Sequence, residues 1–87
     1  MRKGYRTEVE ITKEILELCT IPQGKTAIVY SCNLNFHVVA RYLKRMIGKG
    51  TIERIQRGSR YMYQTTEQGK STIDILSNAI FAIECIR

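Results

Sequence analysis

The residues of this chain best suited to chemistry are basic side chains concentrated in one segment. From Arg41 to Arg60 there are seven Lys or Arg residues against a single acid, Glu53, while the rest of the chain holds seven basic and seven acidic residues. These cations alternate with apolar residues at helix and strand spacings, so we expect a folded surface to present them. A folded basic surface is typical of a protein that binds a polyanion. The alternative is a solvated basic face without a partner.

Catalytic and metal-binding chemistry is poorly supported by comparison. The chain has one histidine, His37, and three widely spaced cysteines, Cys19, Cys32 and Cys85, with no C-x-x-C pair. A structural zinc site needs four ligands in paired spacings, and the cysteines fit better as small buried hydrophobic residues. No catalytic triad, paired carboxylates or Gly-rich phosphate loop is evident. We therefore expect no enzyme activity, no metal and no cofactor, and no small-molecule ligand is evident.

Length and hydropathy limit the architecture and the cellular location. The 87 residues are enough for one hydrophobic core. The longest apolar run, residues 79–83, is far shorter than a membrane span, and the start of the chain lacks the apolar segment of a signal peptide. We expect an intracellular, cytoplasmic protein without a membrane partner, associated with the nucleoid if it acts on chromatin.

Two helices are predicted in the first third of the chain. Thr7 and Glu10 have the capping-box spacing and precede an apolar helical pattern, which predicts a helix over residues 8–20. Its glutamates form an acidic face that should point away from any nucleic acid. A second, shorter helix over residues 25–33 is predicted with Thr26 as its N-cap, although its β-branched residues make a strand the alternative.

The strongest helical period follows, and it carries much of the basic segment. Asn35 is a suitable N-cap, and the Lys49-Gly50 pair is a suitable end, for a helix over about residues 35–49. Its apolar positions are Phe36, Val39, Leu43, Met46 and Ile47. The opposite face carries His37, Val38, Arg41, Lys44, Arg45 and Gly48.

A β-hairpin is predicted next. Residues 51–56 and 60–65 have strand character, and residues 57–59 include the glycine expected of a short hairpin loop. Ile52 and Ile55 do not alternate with each other, so either one of them leaves the core face or the strand is bulged. Tyr42 and Tyr61 are suitable for base stacking, but their positions in the apolar pattern favour the core.

The last helix is predicted to be capped by Thr66 and to extend to about residue 86. Ile73, Leu76, Ile80 and Ile83 recur in a heptad-like seam, as in a coiled coil, and further apolar residues widen the surface nearly all round. One small domain cannot cover that much apolar surface. We expect a homodimer joined through this helix; the alternative is a helix folded back over its own sheet.

The order of these elements predicts an α+β fold, a winged helix-turn-helix made of a three-helix core and a β-hairpin wing. Three parts are expected: a basic N-terminal arm at residues 1–6, a DNA-binding domain at 7–69 and a dimerisation helix at 70–87.

Four short segments carry a resemblance to a known family. They are KTAIVY at 25–30, NLNF at 33–36, YL at 42–43 and YQTTEQGK at 63–70. In this order the chain, over about residues 7–77, resembles the archaeal winged helix-turn-helix proteins, and above all their small dimeric chromatin or transcription-regulator members. The resemblance implies double-stranded DNA as partner, an antiparallel homodimer, a recognition helix at about 35–49 in the major groove and a wing at 57–60 on the minor groove or backbone.

Side-chain chemistry then suggests individual DNA contacts. Arg41 and His37 are expected at base edges and Val38 at a thymine methyl group. Lys44 and Arg45 are expected at phosphates. The full set of predicted DNA-binding residues is Lys25, Asn35, His37, Val38, Arg41, Lys44, Arg45, Arg57, Ser59 and Arg60. His37 as an ordinary surface residue and Arg41 as a solubilising charge are the alternatives.

A winged helix-turn-helix protein that binds DNA could have either of two functions. It could be a sequence-specific transcription regulator or a loosely specific chromatin-type DNA binder. Phosphate contacts supply affinity in both, so basic residues alone do not separate them. A winged-helix module that binds another protein and no DNA is the alternative from a different class.

Overall fold

The computed structural model describes residues 6–86, with the side-chain surroundings described as far as residue 82. Four helices and a two-stranded antiparallel sheet confirm the predicted α+β fold. They are α1 (Glu8–Leu18), α2 (Lys25–Ser31), α3 (Phe36–Lys49), β1 (Ile52–Arg57), β2 (Arg60–Thr65) and α4 (Glu67–Ile86). No helix within this part of the chain is long and apolar enough to span a bilayer. Most of the predicted basic arm lies outside the described residues, as do the side chains of Ile83 and Cys85.

The capping box of α1 is confirmed. The Glu10 backbone N–H donates to Thr7 Oγ1 at 3.1 Å, and the Thr7 N–H donates to Glu10 Oε1 at 2.8 Å. The helix ends at Leu18, slightly before the expected residue 20. Arg6, the last residue of the predicted arm, forms an ion pair with Glu14 and thereby fixes the chain before the helix.

The turn unit differs from the prediction at both ends of its first helix. Segment 25–31 is helical, so α2 ends two residues before the predicted residue 33. It begins after Gly24, whose backbone is extended and whose carbonyl accepts the first helical bond, from the Ile28 N–H. Thr26 therefore lies inside the first turn, and its predicted role as N-cap is wrong. Asn35 caps α3 as predicted, through Oδ1 and the Val38 N–H at 2.8 Å. Gly50 ends α3 with φ 80°, a conformation that favours glycine.

The core is built from α1, α2, α3 and the base of the wing. Its buried residues are Ile15, Leu16, Cys19, Ile28, Val29, Cys32, Val39, Tyr42, Leu43, Met46, Ile52 and Tyr63. Three residues predicted to be buried are not: Phe36 is 48% exposed, Ile47 39% and Tyr61 50%. The helical period places a residue on a face of α3, but neighbouring elements determine how much of that face is covered.

Both described cysteines are free thiols in this core. Burial, with Cys32 nearby, raises the pKa of Cys19 to about 12. Burial and the Glu14 carboxylate raise the pKa of Cys32, against a smaller opposing effect of Arg6. Both thiols therefore stay protonated at neutral pH, which agrees with a packing role.

The hairpin register settles the question of the two isoleucines. Pairing is continuous from Ile52 opposite Thr65 to Arg57 opposite Arg60, so β1 has no bulge. Ile52 is buried, and Ile55 lies on the other face of the sheet. On its second edge β2 bonds to Gln23, through the Gln23 N–H to Tyr63 O at 3.0 Å and the reverse bond at 2.8 Å.

The N-terminus of α4 packs closely against the base of the wing. Thr66 Oγ1 accepts from the Gly69 N–H at 3.1 Å and donates to Gly50 O at 2.6 Å, which confirms the predicted cap. A Cβ atom on Gly69 would lie 2.2 Å from the Thr51 carbonyl oxygen and 2.5 Å from Thr65 Cγ2. Only a residue without a side chain fits this approach.

This packing predicts opposite effects for two glycine replacements. Gly69→Ala should destabilise the protein by about 1 to 3 kcal/mol, because the new methyl group overlaps backbone. Gly48→Ala, at an exposed site of α3 where an added Cβ would meet nothing beyond its own helix within 4 Å, should stabilise it by up to about 1 kcal/mol through helix propensity. Urea unfolding at one fixed protein concentration measures both. Equal stability of the two variants would contradict the close packing at Gly69.

Candidate nucleic-acid interface

The surface of α3 turned away from the core carries no acid. His37, Arg41, Lys44 and Gly48 follow one another at i, i+4, i+7 and i+11 and are all exposed. The opposite side buries Val39, Tyr42, Leu43 and Met46. His37, Arg41 and Lys44, the three predicted contacts on this outward line, are therefore brought together on one straight surface about 10 Å long, from about 1.5 Å of rise per residue.

One flank of α3 is engaged within the protein. Val38 is half-buried and packs against the core. The Arg45 guanidinium lies 3.5 Å from the Glu8 carboxylate of α1 and 5.3 Å from the centre of the Tyr42 ring. Burial raises the pKa of Tyr42, and Glu8 adds to this effect. The acidic first turn of α1 thus borders α3 instead of pointing fully away from it, and Arg45 is less free than Lys44.

The other flank of α3 opens into a groove of about 650 Å³ that runs between α3 and the wing. Buried apolar side chains from both elements line it, among them Leu43, Ile52 and Tyr63. Three cations, Lys25, Lys44 and Arg54, line it as well, together with Glu53. The groove joins the start of α2 to α3, so Lys25 lines the same groove as Lys44 and Arg54.

Arg54 was not among the residues predicted to bind DNA. It lies on the same strand face as Ile52, with its guanidinium 4.4 Å from the centre of the Tyr61 ring. The exposed Tyr61 therefore holds a cation in place at the wing and does not belong to the core. Strand alternation could have identified Arg54. If Ile52 is taken as the core residue of β1, Arg54 lies on the same face of the hairpin as Tyr61 and Tyr63.

The tip of the wing brings two like charges together. Arg57 and Arg60 are direct cross-strand partners on either side of the Gly58-Ser59 turn, and all four residues are exposed. Among residues 6–82 no carboxylate lies within ion-pair distance of either arginine. Like charges directly opposite each other destabilise a hairpin, and a bound anion would remove that penalty.

Asn35 differs from the other predicted contacts, because its side-chain oxygen is already used by the N-cap of α3. Its amide NH2 group is left for an external acceptor. The DNA contacts of these residues remain predictions. Some of the residues, such as Arg41, have exposed side chains, and others, such as Val38, pack against the core of the protein.

Comparison with known proteins agrees with this geometry. The family model described as winged helix-turn-helix matches residues 5–83. The crystal structure of Sso10a-2, a DNA-binding protein from Sulfolobus solfataricus, is similar with a TM-score of 0.88 and 27% identity, over 93% of this chain and 85% of that one. No curated protein matches the chain.

Larger regulators share the fold at low identity. The transcriptional regulator BldR from Sulfolobus solfataricus has a TM-score of 0.77 at 12% identity, over 84% of this chain and 55% of its own. The PcaV transcriptional regulator from Streptomyces coelicolor also has a TM-score of 0.77, at 13% identity, over 97% of this chain and 61% of its own. This chain thus spans little more than half the length of these regulators, and the likeness shows the fold alone.

The facing arginines predict a salt-dependent gain in stability. Arg57→Gln should stabilise the protein by a few tenths of a kcal/mol in about 0.01 M salt, because it removes one of two opposed charges. The gain in stability should vanish near 1 M salt, where the Debye length is about 3 Å and the repulsion between the two exposed charges is screened. Arg57→Lys, which keeps the charge, is the control in urea unfolding. Equal gains for both variants, or a gain that salt leaves unchanged, would contradict repulsion at the tip.

Proposed function

This chain belongs to the winged helix-turn-helix family, and from that premise we propose that it binds double-stranded DNA as a homodimer. In this proposal α3 enters the major groove, and the wing contacts the minor groove or the backbone. The biological role is transcription regulation or chromatin-type DNA binding.

The observation that carries the proposal is the acid-free outward line of α3 beside a wing tip of two facing arginines. An α-helix fits the major groove, where long cations reach base edges and phosphates. We assign base edges to His37 and Arg41 and phosphates to Lys44. The guanidinium groups of Arg57 and Arg60 suit a narrow minor groove or a phosphate, since either relieves their repulsion.

The groove between α3 and the wing adds backbone contacts to this arrangement. Lys25 and Lys44 both line it, and Arg54, which lines it as well, is held by the Tyr61 ring. Because a guanidinium stacked on an aromatic ring loses less freedom on binding, Arg54 is well suited to a phosphate. We therefore include Arg54 among the DNA-binding residues.

The homodimer is proposed from the apolar surface of α4. Ile73 and Leu76 of the predicted seam pack against the core of their own chain, so a single copy already half covers them. Ile75 and Phe81 are 65% and 67% exposed on the same helix. A second copy of this helix, antiparallel to the first, would cover exposed apolar side chains of α4 and place two basic surfaces on one assembly.

A single replacement on α4 tests the dimer. The protein should sediment at twice its 10.1 kDa chain mass at micromolar concentration. Ile75→Asn should shift the mass towards the monomer, because it puts an amide into the apolar contact. Asp74→Asn, at the neighbouring exposed residue, is the control and should stay dimeric. A monomeric mass for the unchanged protein would refute the homodimer.

Replacing basic residues one at a time tests the assignment to bases and phosphates. Arg41→Ala should weaken binding to its preferred sequence by about 1 to 3 kcal/mol and relax the preference at one base pair. Lys44→Ala, Arg54→Ala and Arg57→Ala should weaken all sequences alike, and each should lower the salt slope by about 1 for each protomer of the homodimer that contacts the duplex.

Fluorescence anisotropy with labelled random and genomic duplexes measures these effects. Lys13→Ala, on α1 where Lys13 pairs with Glu17 at 2.9 Å, is the matched control and should leave affinity nearly unchanged. Equal losses on every duplex for Arg41→Ala would contradict base reading by Arg41. A spread of affinities among duplexes would identify a specific regulator, and a uniform affinity a chromatin-type binder.

A further inference from the structure

Phe36 combines a position and a degree of exposure that the fold alone does not explain. It is the first residue of α3, directly after the N-cap Asn35, and 48% of its surface is exposed. By helical period it should be a core residue, yet it does not belong to the buried cluster or to the half-buried residues packed around it. The recognition helix therefore begins with a phenyl ring turned partly to solvent.

The neighbours of Phe36 indicate what such a ring meets when DNA binds. His37 follows it directly, and Arg41 lies one turn after His37 on the outward line. In a helix-turn-helix protein the N-terminal residues of the recognition helix contact base edges. A phenyl ring cannot hydrogen-bond a base, but it can pack against the 5-methyl group of thymine, the apolar feature of the major groove.

Val38, the residue expected to make this contact, is less available. It is half-buried and packs against the core, on the flank of α3 where Arg45 meets Glu8 of α1. Phe36 is the exposed apolar side chain of the first turn, and Asn35 and His37 beside it are exposed polar residues. We infer that Phe36 reads thymine through its 5-methyl group and gives the protein a preference for A·T base pairs at that position.

The inference rests on the proposed DNA binding, and it is tested by removing the methyl group from the DNA. Two duplexes of one mixed sequence are compared by anisotropy at one salt concentration, one with thymine and one with uracil at every such position. The unchanged protein should bind the thymine duplex more tightly, by about fourfold for each methyl group buried. Phe36→Ala should bind both duplexes alike, with the affinity that the unchanged protein has for the uracil form.

Two comparisons make the result specific. Ile21→Ala removes another exposed apolar side chain, 69% exposed in the connection between α1 and α2, and should keep the full preference for thymine. Any change that uracil causes in duplex flexibility affects all variants equally, so only the loss of preference in Phe36→Ala reports the contact.

Each outcome decides a different point. Equal binding of the two duplexes by the unchanged protein, or a thymine preference as large in Phe36→Ala as in the unchanged protein, would overturn the role of Phe36 while leaving DNA binding intact. No binding to either duplex at low salt would instead overturn the proposed function and this inference with it. If the exposed Phe36 ring instead contacts a protein partner, neither duplex should be bound at low salt.

Discussion

The arrangement of the whole molecule depends on the hydrogen bonds at the base of the wing. The Thr51 N–H donates to Met46 O at the end of α3, and the Thr66 N–H donates to Thr51 O at the start of α4. Thr65 bonds to the end of α1 twice, through its hydroxyl to Leu16 O within the helix and through its N–H to the carbonyl of the C-cap residue Cys19. These buried bonds link α1, α3, α4 and the wing at one point, so the basic side chains of α3 and of the wing keep a fixed spacing.

Charge separation is the second organising feature. The net charge of +6 lies entirely in the segment that forms most of α3 and the wing, and the ion pair between Arg45 and Glu8 marks its boundary with α1. Within the basic surface the facing arginines of the wing tip oppose folding. Such a penalty is typical of a binding surface, because the same two charges that repel each other in the free protein both attract a bound polyanion.

Features set by local chemistry could be predicted from the sequence. The caps at Thr7, Asn35 and Gly50 depend on hydrogen bonds and backbone conformations within a few residues, and all three are confirmed. Burial depends on distant neighbours, which explains why Phe36 and Tyr61 proved exposed. Arg54 was missed because its face follows from the choice between Ile52 and Ile55 as the core residue of β1, and the alternation along the strand left that choice open. The DNA contacts and the dimer depend on surfaces outside the chain, which local sequence patterns do not determine.

The most direct test of the account is the salt dependence of DNA affinity, measured by anisotropy with a labelled duplex. DNA binding by this basic surface predicts that log affinity falls linearly with log salt, with a slope that corresponds to about four or more phosphates, because cations from α3, the groove and the wing displace condensed counterions. Absence of binding at low salt would contradict the account and favour a winged-helix module that recognises another protein.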